Sequence, residues 1–152
     1  MEKIESGRRC GKLYSCLVSL IELLQDRRKE IDSVSHCLPR LKYAKEFGTI
    51  KLCTARGCGH TSALAKIIEE KFDKAIVVFH TLKISAIFQK QYPNIKNKIT
   101  IITPETFDKL WGHADVDVVI VDCCSLLSQS KIDELYDITA YAMKNPMYIL
   151  ME

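Results

Sequence analysis

The sequence predicts a three-layer α/β domain of about five mostly parallel strands, preceded by an N-terminal helical extension. Three observations carry that expectation. Apolar runs alternate with segments of helical period from residue 48 onward. Runs such as "AIVVF" and "VVIV" are apolar at consecutive positions, as strands are when helices cover both faces of their sheet. The 152 residues, 47% hydrophobic and 27% charged, suit one soluble globular domain rather than a disordered or fibrous chain.

In chain order, Leu13, Leu17, Leu20, Ile21 and Leu24 recur at three- and four-residue steps, so a helix runs from Leu13 to about Lys29. Pro39 breaks the helical preface, and the boundary of the α/β domain falls at residues 47 and 48. The strand-like runs are "TIKLC", "KAIVVFH", "ITIIT", "VDVVIVD" and "MYIL". Leu64, Ile67, Ile68 and Phe72 form the apolar stripe of the first crossover helix, and Ile84, Ile87, Phe88 and Gln91 or Tyr92 that of the second. Thr103 caps a short helix whose first residue is Pro104, where the missing N–H costs nothing. The last helix begins near Ser130, carries Ile132, Leu135, Tyr136, Thr139 and Met143 on one side, and is stopped by Pro146. No internal repeat or low-complexity tract is present.

The net charge of +3 is a weak lean toward anionic partners, below that of a dedicated nucleic-acid binder. Arg8/Arg9 and Arg27/Arg28/Lys29 are the basic clusters available for phosphate, or a solvated face. The seven cysteines include no C-x-x-C pair, which fits reduced thiols in a cytoplasm-like compartment. No apolar run approaches the roughly 18 residues of a membrane span.

"TARGCGHTSA", residues 54–63, lies between a strand and a helix and places Gly57, Gly59 and Thr61 in the register of a phosphate loop. Glycines let successive amides point inward, backed by the positive end of the following helix. The expected phosphate contacts are Arg56, Gly57, Cys58, Gly59, His60, Thr61 and Ser62. Lysine ordinarily follows the second glycine; His60 there is shorter and mostly neutral at pH 7, unless a bound polyphosphate raises its pKa. Downstream, "VDVVIVDCCSLL" delivers Asp122 at the end of an apolar strand, where a carboxylate holds magnesium together with the Thr61 hydroxyl. The next residue is Cys123, and losing a general base at that position costs about 10²- to 10⁴-fold in rate.

These stretches resemble the RecA-like P-loop core of superfamily 2 helicases and of phage terminase large subunits, over roughly residues 48 to 151. "TARGCGHTSA" is similar to motif I, "AIVVFHT" to the strand leading to motif Ia, "ITPETFDKL" to the Thr-Pro stretch that touches the DNA backbone, and "VVIVDCCSLL" to a D-E-A-x box. The resemblance implies ATP or ADP with magnesium as cofactors, and nucleic-acid contacts at Thr103 beside those at Arg27 and Arg28. His60 and Cys123 depart at the two positions most needed for hydrolysis, and the second lobe or nuclease domain of such motors lies outside this sequence.

The expectation is therefore a degenerate, hydrolysis-impaired module that binds nucleotide or nucleic-acid phosphates in DNA metabolism or packaging, in the cytoplasm or a host's cytoplasm, with a protein partner and no membrane. The alternatives are an active ATPase lobe of a viral DNA motor completed by another subunit, and an interaction scaffold with an empty pocket. Zinc on Cys58, His60, Cys123 and Cys124 is disfavoured, because no pair has the spacing of a structural site.

Overall fold

The computed structural model of the protein describes residues 2–54 and 59–152, residues 2–9 by their backbone only. Five strands, β1 (Thr49–Leu52), β2 (Ala75–Val78), β3 (Ile99–Ile102), β4 (Val118–Val121) and β5 (Met147–Met151), form one sheet in the order β1-β5-β4-β2-β3. Every pairing is parallel. All five sequence-predicted strands are thus present, the first four trimmed at their ends and β5 one residue longer than the run "MYIL". β2, β4 and β5 are buried at every position.

Parallel strands need crossovers, and the helices supply them. Helices α1 (Glu2–Ile31), α3 (His60–Lys71) and α4 (Leu82–Gln91) contribute to one core, where Leu13, Leu17, Ile21, Leu64, Ile67, Ile68 and Phe88 meet Ala75, Val77, Val118, Ile120 and Ile149. Helices α2 (Arg40–Phe47) and α5 (Gln129–Ala142) contribute to the other, where Ala44, Leu135 and Tyr136 meet Ile76, Val78, Val119, Val121 and Tyr148. Alternate residues of one strand therefore serve opposite cores, which is why no polar residue interrupts these runs. A 3-10 helix (Pro104–Gly112) adds Phe107 and Leu110 to the second core.

The helical extension shares the first core with the sheet. Its helix begins at Glu2, earlier than the apolar stripe that starts at Leu13 indicates. Arg28 fastens it: the guanidinium donates to the carbonyls of Phe47 (3.1 Å), Asn145 (3.2 Å) and Pro146 (3.0 Å). The neighbouring Arg27 bonds Glu30 at 2.7 Å.

Two expectations need correcting. In α4 the buried residues are Ser85 and Phe88, while Ile84 and Ile87 are 36% and 52% exposed. β3 is an edge strand, so this helix has less sheet to cover and turns a narrower face inward. The cap of α5 is Ser128, which accepts from the Lys131 N–H at 3.3 Å, and the helix ends at Ala142, ahead of Pro146. Of two serines two residues apart, only Ser128 has the extended backbone a cap requires. Thr103 does stand at the head of its helix, in a reciprocal arrangement in which its N–H donates to Thr106 Oγ1 at 3.0 Å.

Gly48 marks a close approach just before β1. A Cβ there would lie 2.8 Å from the Ala44 carbonyl oxygen and 3.0 Å from the Arg28 guanidinium. Gly48→Ala is expected to lower stability by about 1–3 kcal/mol through overpacking against that main-chain oxygen, read as a lower midpoint in urea at unchanged slope.

Candidate functional site

Because the strands are parallel, their carboxyl ends share one edge of the sheet, and there β1 leads toward α3 while Asp122 directly follows β4. β5 lies between these two strands. Gly59 enters α3 with φ of +74°, a left-handed conformation that favours glycine because it has no Cβ. The same position is crowded: a Cβ would lie 3.3 Å from that of Cys10 on α1. The N-terminal helix thus reaches the end of the loop.

The first residue of α3, His60, reaches across to the acidic strand. Its Nε2 lies 3.2 Å from Asp122 Oδ1, with 21% and 7% of the two side chains exposed. Contact with the carboxylate raises the imidazole pKa above its ordinary 6.5, and partial burial opposes that rise without cancelling it. Cys123 Sγ completes the group, 3.8 Å from His60 Nε2 and 3.7 Å from Asp122 Oδ1. In a regular strand consecutive side chains point to opposite faces. Cys123 instead adopts φ of 55° and ψ of 56°, and this left-handed turn brings its sulfur to the side of the Asp122 carboxylate. A non-glycine residue holds such a conformation at a cost of roughly 1–2 kcal/mol.

Among the described residues His60, Asp122 and Cys123 form a group whose donor atoms all lie within 4.8 Å of one another. The arrangement is no nucleophilic relay, since a Cys-His-Asp relay uses both ring nitrogens and here the thiol and the carboxylate both face Nε2. The groups beside the Asp122 carboxylate in this cluster are an imidazole nitrogen and a sulfur, whereas magnesium takes an octahedron of oxygens.

Of the other residues expected to bind phosphate, Arg56, Gly57 and Cys58 lie outside the described residues. Thr61 follows His60 in the first turn of α3 and is partly exposed. Ser62 hydrogen-bonds the Tyr92 hydroxyl at 2.7 Å. Thr103 is 2% exposed, and Arg28 is committed to main-chain carbonyls. Sequence reasoning did not anticipate Cys10 over Gly59 or Tyr92 beside Ser62. Neither carries a local signal, because each is set by how a distant helix packs.

Cys124 turns away from the group. It is buried, its Sγ lies 3.6 Å from Glu152 Oε1, and burial with the nearby carboxylate pushes its pKa up to about 11. No protein-family model matches the chain, and comparison with curated proteins and with solved structures finds no match. No helix of the described residues is long and apolar enough to cross a membrane.

Two measurements check these environments. Alkylation with iodoacetamide at pH 8, followed by peptide mass spectrometry, is expected to label exposed Cys16, Cys37 and Cys53 rapidly and Cys124 slowest, since the reactive thiolate is scarce there. In chelator-treated protein, NMR titration of His60 is expected to give a midpoint above 6.5, which Asp122→Asn lowers. The folded pKa is raised, so the stabilisation from this ion pair is complete below about pH 6.5 and is lost as pH rises through the raised value.

Proposed function

We propose that this chain is a phosphate-binding module derived from a P-loop motor core, with its hydrolytic machinery lost. The observation that carries the reading is the left-handed Gly59 leading directly into α3 at the carboxyl edge of a parallel sheet. Such a helix start presents amides with no intrahelical partner and the positive end of the helix dipole, which together favour an oxyanion. Thr54 adds support: its Oγ1 is sealed from solvent and has no hydrogen-bond partner among the described residues. A buried hydroxyl left in that state costs about 1–3 kcal/mol, which a ligand oxygen would recover.

The residues that face this edge favour binding over turnover. His60 stands where a permanent positive charge would be needed, and its imidazole is engaged with Asp122. Cys123 stands where a carboxylate would polarise water, and a thiol is a poor substitute for it. The ligand class is a nucleoside polyphosphate or the phosphates of a nucleic acid, and the role is that of an accessory or regulatory module in DNA metabolism or packaging.

Calorimetric titration of ATP and ADP, in chelator and again with magnesium, tests the reading. Binding is expected in both buffers without steady phosphate release. His60→Lys, which supplies a charge-assisted contact, is expected to tighten polyphosphate binding about tenfold. No heat and no shift in melting temperature at millimolar nucleotide, with no salt-dependent retention of DNA, would leave the crevice without a phosphate ligand. Steady phosphate release abolished by Asp122→Ala would instead make the chain a working ATPase lobe.

A further inference from the structure

The geometry points to a zinc-class metal site formed by His60, Asp122 and Cys123. The site keeps His60 and Cys123 from the set weighed on sequence spacing and takes Asp122 as its third donor among the described residues, Cys58 lying outside them. These ligands come from the start of α3 and the turn after β4, so the ion would join the first turn of α3 to the end of the acidic strand.

Ligand identity comes first. Imidazole, carboxylate and thiolate are a mixed nitrogen, oxygen and sulfur set that favours zinc and its neighbours over magnesium or calcium. Spacing comes second. Four-coordinate zinc has bonds of about 2.0–2.2 Å to nitrogen and oxygen and about 2.3 Å to sulfur, so tetrahedral edges are about 3.4 Å between nitrogen and oxygen and about 3.6 Å between sulfur and either. The observed edges are 3.2 Å from His60 Nε2 to Asp122 Oδ1, 3.8 Å from Nε2 to Cys123 Sγ and 3.7 Å from Oδ1 to Sγ. An ion can therefore be seated by shifts of a few tenths of an ångström.

Orientation comes third. One imidazole nitrogen faces both of the other donors, the convergence that a single central ion needs and a proton relay does not. The left-handed backbone at Cys123 produces that convergence, and a bound ion would offset its cost. The carboxylate is 7% exposed and the imidazole 21%, so the site is shielded yet reachable. Three protein ligands among the described residues leave the fourth position of a tetrahedral ion for a further ligand such as water or an oxyanion. This inference does not rest on the phosphate reading, and its test contains no nucleotide.

The full chain, stripped with chelator and titrated with zinc alone, is expected to retain one ion per chain after desalting, with magnesium in hundredfold excess unable to displace it. X-ray absorption at the zinc edge of the unmutated protein is expected to show at least one sulfur at about 2.3 Å together with nitrogen or oxygen at about 2.0–2.2 Å. Cobalt(II) is expected to give a tetrahedral spectrum with a thiolate charge-transfer band, lost in Cys123→Ser and kept in Cys37→Ser. The Cys37 control is needed because that thiol lies 3.4 Å from His36 Nε2 at an exposed position and offers a competing pair. A sulfur-free zinc shell, ready displacement by magnesium, or a thiolate band that follows Cys37 rather than Cys123 would each overturn the assignment. The absorption measurement stands even if the Cys123 variant fails to fold.

Discussion

The constraint on which the structure depends is burial of a parallel sheet on both faces. Three of its strands have no exposed position, so the side chains along them are apolar whichever way they point, except that the Tyr148 hydroxyl is paired with Thr139 Oγ1 at 2.6 Å. Parallel pairing also requires that each strand return to the same end of the sheet before the next begins, which obliges a helix or long connection after every strand. Polar chemistry is thereby excluded from the body of the sheet and collected at its ends. Among the described residues Asp122 is the one acidic residue in the buried polar set, and it sits one residue past the end of β4.

The two ends of the sheet are used differently. At the amino edge the Asp117 carboxylate accepts from the N–H groups of Asp73 and Lys74, both at 3.1 Å, and Lys74 also pairs with Asp115. These contacts fix the turn into β2 and bring no soft ligand together. At the carboxyl edge the groups are of mixed character, with an imidazole, a carboxylate and a thiol in mutual contact. Placing a carboxylate at such a depth requires a partner, because an isolated buried charge is strongly disfavoured. His60 meets that requirement with a side chain whose charge depends on pH, where a lysine would have met it permanently.

The strands were legible in the sequence because burial on both faces leaves an unbroken apolar run that few other environments permit. The stripe of α3 was legible for a related reason: Leu64, Ile67 and Ile68 cover the middle of the sheet, and a wide apolar face has one reading. In α4 the same reasoning selected Ile84 and Ile87, because period alone does not reveal that a helix packs at a sheet's margin. The candidate site was legible as two segments and in part as a group, since His60 and Cys123 were expected near one another at the sheet edge, but with Cys58 and Cys124 beside them rather than Asp122. Gly59 and Asp122 each stood in a recognisable local setting, whereas Cys123 and His60 are 63 positions apart and meet through the strand order. The left-handed turn at Cys123 has no sequence signal, since cysteine has no preference for it.

The first helix has two separable duties along its length. At Arg28 it is riveted to main-chain oxygens at the base of the sheet, and 18 residues earlier, about 27 Å away along a regular helix, Cys10 roofs the entrance of α3. Leu13, Leu17 and Ile21, which glue the rod to the sheet, all lie between these two points. Shortening the chain to just beyond Cys10 would therefore unroof Gly59 while leaving both the glue and the rivets in place.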